Sequence, residues 1–249
     1  MDLNADLGEG FGIWRLGDDE ALLNLVTSAN VACGFHGGDA PTMRRVCAGA
    51  ARRGVAVGAQ VGYRDLAGFG RRHIAYDFAE LRDEVTYQLG ALAAFCRLAR
   101  TEVRYLKPHG ALYHAASTQE AQAAALVSAV CDYDPELPVL CAPGSMLAQL
   151  AVGAGLRAVA EGFADRGYLP NGTLVPRGAP GALITDPEQV ATRALRMATE
   201  RTVVAVDGTV VPCPVESICL HGDTHHAVAA AELVRATLID AGVPLAPFA

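Results

Sequence analysis

The sequence predicts an α/β protein folded as an irregular (β/α) barrel of about seven units. Two observations lead there. Short apolar segments alternate with longer segments of helical period along residues 1–249, and composition nowhere breaks, as expected of one domain with a parallel sheet. Three of the apolar segments also end alike: Val31-Ala32-Cys33 runs on to His36-Gly37, Leu106-Lys107-Pro108 to His109-Gly110, and Cys219-Leu220 to His221-Gly222, each with a helix-like segment after it. Parallel βα units gather their strand C-termini on one face, where sites are built, so the three histidines are expected to converge. A doubly wound open sheet ranks second.

Asp2 to Leu7 alternates as a first strand, and Gly8 to Gly12 is a loop. Asp18 to Leu25 reads as a short helix with acidic residues in its first turn, where the helix dipole favours them. A strand from Val26 to Cys33 follows. Asp39 can cap a helix over Thr42 to Arg53, with Pro41 near its first turn and Gly54 at its end. Val55 to Val61 is a buried-type strand. Gly62 to Tyr76 is a long Gly/Arg loop of the kind that is often functional.

Phe78 to Arg100 reads as a long helix, Val103 to Lys107 as a strand stopped by Pro108, and Thr118 to Cys131 as a helix capped by Ser117. A strand over Leu137 to Ala142, a helix over Met146 to Val152 and a strand over Leu156 to Glu161 come next. Gly162 to Ala182 is a second long loop. Asp186-Pro187 opens a helix to about Arg201, and Asp207-Gly208 is a turn pair suited to a hairpin of Val203–Val206 with Val210-Val211. A strand over Ile218 to Leu220 and a helix over Ala227 to Ala241 complete the chain.

Composition narrows the function classes. Apolar residues make up 51% and charged residues 19%, which is globular rather than disordered. No apolar run approaches a membrane span. A net charge of −7 without a basic cluster argues against nucleic acid as a partner. The seven cysteines are scattered with no CxxC pair, and the N-terminus has no signal-peptide pattern, so a reducing cytoplasm is expected.

Lys107 is the only lysine; the other 19 basic residues are arginines. An ammonium is a compact charge with a tunable pKa, which a guanidinium is not. Asn4 and Asp6 face the same side of the first strand, and Glu9 adds a carboxylate to the same mouth. His36 with Asp39, Lys107 with His109, the run Glu161 to Arg166, and His221-Gly222-Asp223 occupy equivalent places. Singly, each is compatible with an ordinary structural polar group. Five of them at strand ends point to a site, because burying such groups unpaired is costly. Arg177, set among glycine and proline, is a candidate anion contact. Arg71-Arg72 reads as solvated, and His73, His114, His225 and His226 as ordinary. There is no GxSxG elbow and no P-loop, so any ATP binds without a P-loop or on another chain.

Asp2 to Gly12, Ser28 to Asp39, Lys107 to Tyr113, Glu161 to Arg166, Leu174 to Gly181 and Leu220 to Thr224 together closely resemble the LamB/YcsF family of bacterial 5-oxoprolinase A subunits. The sequence departs from the family pattern at His225-His226, where Pro-Gly is usual, and at Gly38 and Ala40. The resemblance implies a barrel related to polysaccharide-deacetylase-like and glycoside-hydrolase barrels. It implies opening of 5-oxoproline to glutamate, driven by ATP with Mg²⁺, in concert with B and C subunits.

That chemistry needs a cation near the phosphoryl group or substrate carboxylate, and a base for water. Lys107 and Arg177 are the candidates for charge. Asp6, His36 and His109 are candidates for the base or its orientation, with Glu161 and Asp223 behind them. Asn4, Glu9, Asp39, Arg166, Arg177 and His221 are candidate substrate or phosphate contacts. Asp6, His36 and His109 could instead hold a divalent metal, as related barrels do with a carboxylate and two histidines. Two other readings stay open: a metal-dependent deacetylase or amidohydrolase acting alone, and a non-catalytic scaffold within the complex.

Overall fold

The computed structural model describes residues 1–222 and 227–249. The strands and helices run β1 (Asp2–Leu7), α1 (Asp19–Leu23), β2 (Ser28–Ala32), α2 (Ala40–Arg53), β3 (Ala56–Val61), α3 (Phe78–Leu98) and β4 (Val103–Pro108). They continue with α4 (Gly110–Thr118), α5 (Glu120–Tyr133), β5 (Val139–Cys141), α6 (Met146–Gly153), β6 (Ala158–Phe163) and α7 (Pro187–Thr199). The last are β7 (Thr202–Val204), β8 (Val210–Pro212), β9 (Ser217–Leu220) and α8 (Ala227–Asp240). Seven strands close a parallel barrel in the order β1-β2-β3-β4-β5-β6-β9. β9 shuts it by pairing with both neighbours: Ser217 lies opposite Asp2 and opposite Glu161. β7 and β8 form the expected hairpin outside the barrel.

Two elements differ from the sequence reading. The helix expected over Thr118 to Cys131 is α5, and a separate helix, α4, precedes it. α4 starts directly after His109, Ser117 lies inside it and donates to Tyr113 O, and extended Gln119 separates it from α5. β6 runs on to Phe163, so Glu161 sits within the strand rather than at its end. Local period misses both because His109 and Glu161 are placed by partners across the barrel.

Side chains alternate along the barrel strands. Leu3, Ala5, Leu7, Ala29, Val31, Val57 and Ala59 join the main apolar core. The inward positions are polar, where barrels of this kind ordinarily stack branched apolar residues. Ser28 donates to Asp2 at 2.6 Å, and Ser217 donates to the other oxygen of Asp2. Asn4 donates to Ser217 at 2.6 Å and accepts from Asn30 at 2.6 Å. The Tyr105 hydroxyl closes the network by donating to Asn30 Oδ1 at 2.6 Å. Below it the Tyr105 ring meets Phe248 with centroids 4.8 Å apart, which plugs that end of the barrel.

Gly58 makes room for this ring: a Cβ there would lie 2.1 Å from it. Gly58→Ala forces Tyr105 off Asn30 and overpacks the interior, at a cost of about 1–3 kcal/mol. Urea unfolding monitored by circular dichroism checks this; unchanged stability would mean the ring has slack.

Candidate active site

Lys107 projects from β4 into the barrel and reaches strands that are not its neighbours. Its Nζ lies 2.7 Å from Glu161 Oε1 on β6, 3.0 Å from Asp6 Oδ1 on β1 and 3.1 Å from Cys219 Sγ on β9. Asn30 also donates to Asp6 Oδ1, at 2.9 Å. All of these side chains are buried. Burial works against the Lys107 charge, but Asp6, Cys219 and Glu161 outweigh it and its pKa rises well above the ordinary value. Burial would raise the Asp6 carboxyl, yet Lys107 holds it far below the usual carboxylate range. At Glu161 burial wins over Lys107, so its pKa is raised. The cluster is an ammonium with one firmly ionised carboxylate and a second that takes a proton more readily.

His221, just past β9, faces this cluster from the rim. Its Nδ1 lies 2.8 Å from Asp165 Oδ2, which also accepts the His221 backbone N–H at 2.9 Å. Burial would raise the Asp165 carboxyl; His221 and then Arg166 bring it below its ordinary value. With Asp165 on Nδ1, the ring presents Nε2 as its basic nitrogen. Phe163 stacks on His221 with centroids 5.6 Å apart and stands edge-to-face with Tyr113. A cavity of about 40 Å³, room for a few waters, is lined by Asp6, Lys107, His109, Tyr113, His221 and neighbouring arginines. The buried Tyr113 hydroxyl and Glu161 Oε2 have no hydrogen-bond partner among the described residues.

Glu9, His36 and His109 form a third group beside the first. Glu9 Oε1 lies 3.5 Å from His109 Nε2 and 3.8 Å from His36 Nε2, and Gln60 Oε1 lies 3.2 Å from His36 Nε2. The two imidazoles stack at 3.9 Å, within 15° of parallel. Burial lowers the His36 pKa to about 4; burial and then His36 lower that of His109 well below normal. Two neutral rings can stack as two cations could not. Glycines give them space: a Cβ on Gly62 would lie 2.6 Å from His36 Nδ1, and one on Gly70 would lie 3.0 Å from His109 Nδ1. The long loop between β3 and α3 covers the pair with Phe69, held at φ 55° and edge-on to both rings.

The carboxylate that meets these histidines is therefore Glu9, and the expected trio of Asp6, His36 and His109 is not assembled, because Asp6 is committed to Lys107 and Asn30. Ligand atoms of Glu9, His36 and His109 lie within 4.8 Å of one another. Parallel rings aim their in-plane lone pairs side by side, however, and do not converge on an ion about 2 Å from each nitrogen. The arrangement does not fit shared ligation.

The other expected residues divide. Asn4 lies beneath Lys107, with Oδ1 at 3.5 Å from Nζ. Arg177 lines the cavity. Arg166 also lines it, but its guanidinium donates to Val175 O and Ala182 O and so ties down the second long loop. Asp39 is not brought to the site: its carboxylate caps α2 through Thr42 N–H and accepts from Gly12 N–H. Arg72 pairs with Asp65 as expected of a peripheral charge, whereas Arg71, expected to be solvated, lines the cavity with His114. Asp223 and the departures His225 and His226 lie outside the described residues. Sequence reasoning gave no role to Tyr113 or Gln60 and met Asp165 only as one member of the run Glu161 to Arg166. Gln60 did carry a signal, a polar residue in an otherwise apolar strand; the roles of the other two depend on contacts across the barrel.

The sequence profile of the LamB/YcsF family matches residues 1–249. The chain belongs to that family. A LamB/YcsF relative from Streptomyces avermitilis, which bears the name of the A subunit of 5-oxoprolinase, is 57% identical over 249 residues and covers 100% of both chains. The crystal structure of a lactam utilization protein from Thermus thermophilus superposes with a TM-score of 0.95 at 44% identity, covering 100% of this chain and 99% of that one. A family 4 carbohydrate esterase from Streptomyces lividans has a TM-score of 0.51 at 12% identity, covering 99% and 90%, and shows the fold alone. The closed (β/α) barrel that the sequence predicted is thus shared with a protein of little sequence in common.

The neutral histidine pair makes stability depend on pH. An unfolded His36 takes up its proton near 6.5, the folded one only near 4. Its contribution is intact above about 6.5 and is lost as pH falls toward 4, because the unfolded chain then binds the extra proton. Urea unfolding at pH 7 and pH 5 should show a larger loss for the wild type than for His36→Asn. Equal losses would show that His36 is not held neutral.

Proposed function

We propose that this chain is the lactam-opening component of an ATP-dependent 5-oxoprolinase, which hydrolyses 5-oxoproline to L-glutamate with partner subunits of the B and C type. The observation that carries the reading is the enclosed ammonium of Lys107, held by Asp6 and Glu161 and facing an imidazole whose Nδ1 is fixed by Asp165. The names of the 5-oxoprolinase and lactam-utilization relatives support it. The chain has no P-loop, so ATP with Mg²⁺ is assigned chiefly to the partners.

A lactam carbonyl is a poor electrophile. Transfer of the γ-phosphoryl group of ATP to its oxygen releases ADP and gives an imidate carbon that water can attack. The tetrahedral adduct then breaks the C–N bond, the ring nitrogen leaving as a protonated amine, and hydrolysis of the resulting acyl phosphate releases phosphate and glutamate. His221 Nε2 takes the proton from that water, while Asp165 holds the tautomer and steadies the imidazolium. Lys107 stabilises negative charge on the oxygen in a site that excludes water, where a fixed charge is most effective. The Tyr113 hydroxyl and Glu161 offer hydrogen bonds to the ring amide. Arg177 and Arg71 at the rim suit the substrate carboxylate. No step is routed through a metal on Glu9, His36 and His109. The seven free cysteines support a reducing compartment, and we place the chain in the cytoplasm.

Reconstitution with the partner subunits, measuring ATP hydrolysis and glutamate release together, tests this. Lys107→Met should abolish coupled turnover. Asp165→Asn, which leaves the buried ammonium cluster intact, should lower kcat by about 10²–10⁴. Near-wild-type turnover in both variants would remove these groups from the chemistry.

A further inference from the structure

Beside the mouth, the loop from β1 to α1 presents a different kind of surface. Residues 12–18 are exposed without interruption. Three are large and apolar: Ile13 is 90% exposed, Trp14 66% and Leu16 41%. Trp14 is the only tryptophan of the chain, and tryptophan is ordinarily one of the most buried residue types. The loop is nevertheless well held. Phe11 and Trp14 exchange two backbone hydrogen bonds of 3.0 Å, which fixes the turn that carries Ile13. At its far end Gly17, at φ 74°, packs so closely that a Cβ would lie 2.4 Å from Gly222 O. A preformed turn of this kind binds a partner without a large ordering cost.

The surroundings indicate what the partner offers. Behind the loop lies a cavity of about 370 Å³, walled by Trp14, Leu16 and Val46 and rimmed by four arginines and by Asp18, Asp19 and Glu20. Arg53 is committed to Glu20 and Asn24, and Arg45 reaches Asp19 at 3.4 Å. Arg15 and Arg52 also line the cavity, and neither has a carboxylate within 4.0 Å among the described residues. On a chain of net charge −7 this is a local patch of available cations around exposed apolar groups. Protein interfaces have this anatomy, with a Trp anchor at the centre and a polar rim.

We propose that Ile13 and Trp14 dock a partner subunit of the lactam-hydrolysing complex, one with an apolar cleft edged by carboxylates that face Arg15 and Arg52. The inference rests on the function proposed above and adds where the complex forms. The loop follows a barrel strand and so rises from the mouth side. Its root carries Glu9, 3.5 Å from His109, which places a docked partner beside the cavity that receives its substrate.

Trp14 itself is the probe, as the one tryptophan of this chain, with the emission of the partner subunits alone subtracted. Titration of the intact chain with the purified partner subunits should shift its emission to the blue and saturate at one partner per chain. Ile13→Glu should weaken binding at least tenfold and Arg52→Glu at least threefold. Circular dichroism and melting of both isolated variants should remain those of the wild type. If the complex forms while Trp14 emission stays constant and both variants bind like wild type, the docking site is wrong and the proposed function stands. If the wild type binds no partner subunit, the functional reading falls and takes this one with it. A concentration-dependent blue shift of the chain alone, lost in Ile13→Glu, would assign the surface to a second copy and overturn the proposal.

Discussion

An ammonium placed inside a barrel must be answered by charge from the barrel walls, and the interior of this protein is organised around that need. Removing Lys107 from water is costly, and only close carboxylates with the remaining hydrogen bonds satisfied offset such a cost. Asp6 on β1 and Glu161 on β6, the two neighbours of β9, reach Lys107 at 3.0 and 2.7 Å. Their own polar demands then propagate downward. Asn30 braces Asp6, Asn4 braces Asn30, and Ser217, Tyr105 and Asp2 complete the chain. An apolar stack of branched side chains, the common filling of a parallel barrel, could not support that charge. The polar interior and the ammonium of Lys107 within it are two aspects of one solution.

The three His-Gly turns show how context divides a repeated sequence feature into different chemistry. His36 and His109 lie stacked and deeply buried, where burial keeps them uncharged. His221 sits at the rim with the Asp165 carboxylate on its Nδ1. The neutral pair gives the mouth a firm wall, secured by Phe69 from above and by the absence of side chains at Gly62 and Gly70. Relatives with the same fold but little sequence in common need not share these roles, because the roles reside in the side chains and not in the strand order.

Much of this was legible in the chain. The alternation of strand and helix signals gave a barrel of seven units, and each recurrence of His-Gly marked a strand end correctly. The solitary lysine and the inward pair Asn4 and Asp6, singled out along the chain, meet inside the barrel. Asp39 had two readings, helix cap and contact at the mouth, and it is the local one that the structure shows, through the N–H of Thr42. Other assignments followed local logic that longer-range contacts overrode. Asp6 looked like the partner of the histidines until Lys107, 101 residues away, proved to hold it. Asp165 stood in a charged run with no role of its own, since its significance lies in His221, 56 residues on.

The sequence by itself determined the barrel, its register of inward and outward residues, and the collection of one amine, three imidazoles and several carboxylates at one end. Periodicity and turn chemistry act over a few residues, so they can be read along the chain. Which carboxylate meets which cation, which histidine stays neutral, and which loop stands out into solvent were decided only when strands distant in sequence closed on one another. Those outcomes depend on separations of a few ångströms and on burial, and neither exists until the barrel is shut.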